Sequence, residues 1–169
     1  VGGDGVPSLV SRFEIGGRDP LGAQLSDGRL YVADFDADPV TIGYYDVNRT
    51  PSGWHAGPGR VMLANLGAGD TPPEVTWRVS DRRIAYSEAP SEGPRHTLVV
   101  DETGAQVFEL VDGPGIYTVI DFDSSWLAVQ GPTSTQRTIV NIHTGATRSD
   151  LTGVIDVVGD FAYAGDQIT

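Results

Sequence analysis

Cysteine is absent from this 169-residue chain, which excludes disulfides, thiolate nucleophiles and cysteine-held metals. Lysine is absent too, so all 11 cationic side chains are arginine, a compositional bias that points to no partner. Positive charge is scarce overall: 23 acidic residues leave a net charge of −12 and a pI near 4.4. Such a surface repels phosphate backbones and anionic bilayers, so no nucleic-acid partner is expected. Long apolar runs are missing as well. None approaches the roughly 18–20 residues that a membrane-crossing helix requires, and no membrane insertion is expected. The chain opens at Val1 without a charged, apolar leader, the pattern expected of a processed or excised polypeptide. No window holds an i, i+3, i+4, i+7 apolar stripe for three turns, so helices are not expected either.

What the chain does contain is a repeat. LSDGRLYVAD (25–34), VSDRRIAYSE (79–88) and DFDSSWLAVQ (121–130) share one pattern, and DVVGDFAYAG (156–165) is a shortened fourth copy. Each full copy has an Asp (Asp27, Asp81, Asp123), two residues, and an apolar run opening at Leu30, Ile84 or Trp126. A second anchor follows in TIGYYDVN from Thr41, TLVVDETG from Thr97 and TIVNIHTG from Thr138. Self-similarity at a fixed period marks an array of supersecondary units.

The apolar runs are four to six residues long, rich in Val, Ile, Tyr and Thr, and bounded by Gly, Pro, Asp or Ser, which are strand signals. Glycine and proline (22 and 11) make up nearly a fifth of the chain, as many short strands joined by tight turns require. Each unit therefore reads as four strands. The second comprises 75–79, 84–88, 97–101 and 105–110, with approximate units at 21–66, 75–110, 116–151 and 154–169. Gly104 and Gly145 fall where a short hairpin needs positive φ. The second strand of each unit (LYVA, IAY, WLAV, FAYA) is apolar on both faces, as expected of a strand packed between two neighbouring sheets. Leu30, Ile84, Trp126 and Phe161 are thus expected at equivalent buried positions, one per sheet.

Asp-x-x-apolar-Ala-Tyr/Val followed by a loop and apolar-apolar-Asp-x-Thr-Gly resembles the repeats of bacterial β-propellers of the TolB/PD40, WD40-like kind. VSDRRIAYSE…TLVVDETGAQVFEL carries the likeness best, and NIHTG (141–145) is similar to the quinoprotein-type turn. The resemblance covers roughly residues 9–165. It implies an all-β, propeller-like array of four-stranded antiparallel blades, about three complete and a partial fourth that stops after its second strand. LVSRFEI (9–15) matches the fourth-strand pattern, since Phe13-Glu14-Ile15 parallels Phe108-Glu109-Leu110. Three and a half units suit a piece that continues into further blades of a larger propeller; a closed four-bladed ring and a two-sheet β-sandwich are the alternatives. An excised arc would expose apolar end faces, so self-association is expected of it.

Blade architecture by itself assigns no chemistry. The docking tryptophans of quinone-dependent propellers are missing after Gly104 and Gly145, so no cofactor is expected. No G-x-S-x-G nucleophile motif and no phosphate-binding glycine loop occurs. His55, His96 and His143 lie in separate units without metal-ligand spacing. Asp34, Asp36 and Asp38 have the alternation that opens a calcium loop, but Pro39 stands where Gly is required and Tyr45 where a bidentate Glu is required. A solvated loop is the plain reading of these aspartates and a weak Ca2+ site the other. The insertion VNRTPSGWHAGPGR (47–60) is the departure from the repeat with chemical content, read as a loop in which Trp54 either packs on its own blade or offers a stacking face beside His55. The expectation is a non-catalytic binding or scaffolding propeller segment of a secreted or cell-envelope (periplasmic) protein, with a protein or carbohydrate partner. The alternative is the propeller portion of a hydrolase or peptidase whose catalytic residues lie elsewhere.

Overall fold

The computed structural model describes residues 22–34, 40–51, 53–66, 75–88, 96–111, 118–131, 136–151, 155–158, 161–164 and 167–168. Among these there is no helix, and every strand pairing is antiparallel. Sheet 1 runs β1 (Gly22–Ser26), β2 (Arg29–Asp34), β3 (Val40–Thr50) and β5 (Arg60–Leu66), while β4 (Gly53–Ala56) folds onto the far half of β3. Sheet 2 runs β6 (Val75–Ser80), β7 (Arg83–Glu88), β8 (His96–Val100) and β9 (Gln106–Val111). Sheet 3 runs β10 (Thr118–Asp123), β11 (Trp126–Gln130), β12 (Arg137–Asn141) and β13 (Thr147–Leu151). Sheet 4 is β14 (Ile155–Val158), β15 (Phe161–Ala164) and the short β16 (Gln167–Ile168), so the last unit extends past its second strand. The four strands expected per unit are therefore present in the first three. LVSRFEI (9–15) lies outside the described residues.

The sheets pack face to face in chain order, with a core in each gap. Tyr31, Ala33, Ile42 and Tyr44 of sheet 1 meet Trp77, Ile84, Tyr86 and Val100 of sheet 2. Ala85 and Val99, on the opposite face of sheet 2, meet Phe122, Leu127 and Val129 of sheet 3. Ala128 and Ile139, behind them, meet Val157 of sheet 4. Strands β7 and β11 are buried on both faces, which explains why their sequences do not alternate. A two-sheet sandwich has one such interface; the described residues form three. Among the described residues no core joins sheet 4 back to the outer face of sheet 1.

The repeat register needs one correction. Ser26 pairs Arg29 across the first turn and Ser80 pairs Arg83 across the second, with left-handed backbone at Asp27, Gly28, Asp81 and Arg82. Two consecutive left-handed residues form the type I′ turn that matches strand twist. In sheet 3, however, Asp123 itself closes the turn opposite Trp126, and Ser124 takes the left-handed position. Trp126 is thus the counterpart of Arg29 and Arg83, and Leu127 that of Leu30 and Ile84. Phe161, paired with Val158, stands with Trp126. The slip originates in a β-bulge between Val119 and Asp121, which inserts one residue into β10. All four residues do lie one per sheet on second strands, but Leu30 and Trp126 are only half-buried.

First strands of successive sheets are fastened by side chains rather than by strand pairing. The Gln24 amide on β1 donates to Trp77 O and accepts from Val79 N on β6, both at 3.0 Å. Thr76 Oγ1 accepts from Val119 N of β10 at 3.0 Å, and Asp121 Oδ2 accepts from Val157 N of β14 at 2.9 Å. The amides that a strand edge leaves open are thereby satisfied without a further strand. A similar latch joins turns: Ser80 Oγ donates to Asp123 Oδ1 at 2.8 Å and accepts from Ser124 N at 3.1 Å.

Candidate functional site

The turns that join third to fourth strands lie at the same end of the stack as the first-to-second turns, because the strands alternate in direction. In sheet 2 the turn is held by Asp101 Oδ1, which accepts from Thr103 N, Thr103 Oγ1 and Ala105 N at 2.7–3.1 Å. These bonds, the Thr103 hydroxyl first, hold the Asp101 carboxyl below the usual carboxylate range. Asn141 does the same in sheet 3, accepting from His143 N and Thr144 N. Gly104 (φ 81°) and Gly145 (φ 71°) supply the left-handed step that the turn needs.

Sheet 1 departs from this pattern. Asp46 is the counterpart of Asp101 and Asn141, and its carbonyl still accepts from a glycine amide, that of Gly57 at 2.8 Å. Between them, in place of a tight turn, the chain runs out along the end of β3 and back along β4. Residues 47–60, expected as a loop, contain a β-hairpin in which Val47 pairs Ala56, Asn48 pairs His55 and Arg49 pairs Trp54. Only Val47 is buried; Trp54 is 40% exposed. Strand alternation puts Trp54 and His55 on opposite faces of the hairpin. A flat ligand lying on one face meets only one of them.

At the hairpin's base sits a charge cluster that sequence reasoning did not find. Arg29 Nε donates to Asp46 at 3.0 Å and Arg29 Nη1 donates to Glu102 of sheet 2 at 2.9 Å, while its guanidinium lies 4.3 Å from the Tyr44 ring centroid. Arg82 adds a longer contact to Glu102 at 3.8 Å, and Arg60 approaches the Tyr44 hydroxyl at 3.5 Å. Burial pulls the Arg29 guanidinium down, but Glu102 and Asp46 outweigh it and hold its pKa above the ordinary arginine value. The buried Tyr31 hydroxyl lies beside Arg29 without good hydrogen-bond geometry, and burial pushes its pKa up. The available signal was that Arg29 and Asp46 recur as Arg83 and Asp101 in the next unit.

The acidic candidates lie at the other end of sheet 1. Asp34 ends β2, whereas Asp36 and Asp38 fall outside the described residues. Among the described residues no three His, Asp or Glu side chains gather closely enough to hold a metal. Also at that end, in sheet 2, His96 Nδ1 meets Glu109 Oε1 at 3.0 Å, and Glu88 pairs His96 across the strands. Burial, reinforced by the Glu88 and Glu109 charges, pushes the neighbouring Tyr86 phenol up to about 12.

That shift has a stability consequence. The folded chain holds the Tyr86 proton more tightly than the unfolded chain, where tyrosine ionises near ~10. Its contribution is complete below pH 10 and is lost as pH rises through 12. The denaturation midpoint is therefore expected to fall across this window, and Tyr86→Phe to flatten the fall. An identical alkaline profile in that variant would refute the assignment.

The arrangement offers a projecting hairpin with an exposed indole, anchored on a paired-charge base that neutralises itself. The chain matches no family model, no curated protein and no solved structure, so its function is argued from this geometry alone.

Proposed function

We propose that this chain is a non-catalytic binding and scaffolding segment of β-propeller type, its sheets serving as blades, in a secreted or cell-envelope protein. The observation that carries the reading is the hairpin Val47–Ala56, set where the second and third units have a tight turn and presenting a partly exposed Trp54. An indole is costly to hold in water, and a rigid strand pair is a sound mount for a stacking surface. The net charge of −12 favours neutral or basic partners, such as a carbohydrate or a protein. The stacked sheets, the Asp-x-Thr-Gly turn and the likeness to TolB/PD40 repeats support the propeller reading.

The test is a titration of intrinsic tryptophan emission with neutral oligosaccharides. Trp77 is buried in the first core and Trp126 packs against the third, so a saturable change lost in Trp54→Ala, with an unaltered melting midpoint, is the expected result. A midpoint that drops by several degrees in Trp54→Ala, with the titration unchanged, makes Trp54 a packing residue and overturns the role.

A further inference from the structure

The hairpin Val47–Ala56 carries a motif that the binding role of Trp54 leaves unused. Asn48-Arg49-Thr50 is the one Asn-x-Ser/Thr tripeptide in the sequence, with Arg in the middle place that proline must not occupy. All three residues are exposed, at the far end of β3. Strand alternation sets Asn48 and Thr50 in one row, on the face opposite Arg49 and Trp54. Their cross-strand partners are His55 and Gly53. Gly53 carries no side chain, and the Thr50 hydroxyl donates across the ladder to its carbonyl at 3.1 Å, an exposed bond that another acceptor can replace. Asp46, two residues earlier in the same row, keeps 43% of its side chain exposed while paired with Arg29. Pro51 confines Thr50 to extended backbone, which Thr50 already adopts as the last residue of β3.

We propose that Asn48 is an acceptor for N-linked oligosaccharide. The proposal rests on the secreted or cell-envelope reading, since lipid-linked oligosaccharide is transferred on the side of the membrane to which a chain is exported. Asn48 Nδ2 attacks the anomeric carbon of a polyprenyl-diphosphate oligosaccharide. A C–N bond forms as the C–O bond to the diphosphate breaks. The amide gives up one proton, and the lipid diphosphate leaves with the bonding electron pair, so no redox partner is needed. Thr50 contributes the hydroxyl by which a transferase holds the tripeptide. An extended strand presents carboxamide and hydroxyl to one enzyme surface together. Asp46 adds a carboxylate at the place that bacterial transferases read besides the hydroxyl. A glycan on Asn48 projects from the His55 face and leaves the Trp54 face clear for a ligand.

Incubation of the folded 169-residue chain with a bacterial oligosaccharide transferase and a polyprenyl-diphosphate oligosaccharide of known mass tests the proposal, read by intact mass and peptide sequencing. One oligosaccharide per chain, attached to Asn48, is the expected result. Asn48→Gln and Thr50→Ala should abolish the transfer with an unaltered melting midpoint, whereas Thr50→Ser and Trp54→Ala should keep it. A folded chain that stays unmodified overturns the proposal, as does one modified only after unfolding or at another residue. The assay supplies both enzyme and donor, so its failure counts against Asn48 alone, while fractionation of source cells tests export separately.

Discussion

Leu127→Ala is expected to lower unfolding free energy by about 2–5 kcal/mol, and Trp126→Ala by less, although tryptophan is the larger side chain. Leu127 is fully buried, in contact with the second core, where truncation leaves a cavity that rigid strands on both sides cannot close. Trp126 lies at the turn-closing position opposite Asp123, half-buried against the edge of the third core. Urea titration with linear extrapolation measures both. The reverse order would mean that Trp126 is the core anchor and that the repeat aligns without the bulge in β10.

Arg29→Ala should cost about 2–3 kcal/mol. Its side chain is nearly buried, so truncation removes the stacking on Tyr44, takes the cation away from Asp46 and leaves Glu102 with the longer contact to Arg82. The figure is below that of a fully buried pair because both carboxylates are partly solvated. Arg29→Lys should recover little of it, since a point ammonium cannot bridge two carboxylates and cover a ring at once. A double-mutant cycle with Glu102→Gln isolates the bond between sheets 1 and 2. A coupling within error of zero would show that Arg29 acts only through packing.

Strand positions were legible because successive units carry apolar residues in the same rows, and that recurrence survives substitution within a row and unequal spacing, 54 residues from Asp27 to Asp81 and 42 from Asp81 to Asp123. Two features escaped. The bulge in β10 has no composition of its own, and the recurrent Asp123 aligns so well with Asp27 and Asp81 that it conceals the added residue. The hairpin Val47–Ala56 has its polar residues outside any core, so the burial pattern that marks other strands is missing. The site was less legible than the fold. Trp54 and His55 adjoin in sequence but oppose each other across a strand, and Arg29 meets Glu102 only because sheets 1 and 2 stack. Contacts between units depend on rotation and spacing, which no one-dimensional pattern encodes.

Side-chain latches between first strands have a mechanical consequence. Each sheet is woven from one continuous stretch of chain, and Gln24, Thr76 and Asp121 tie it to the next at one or two backbone amides. Pulled from its two ends, such a chain resists like a row of separately knotted panels rather than a single woven cloth. A panel can tear away and extend by its own contour length while its neighbours keep their internal ladders. Force on the polypeptide would then be released in a few discrete lengthening steps, each about one sheet long.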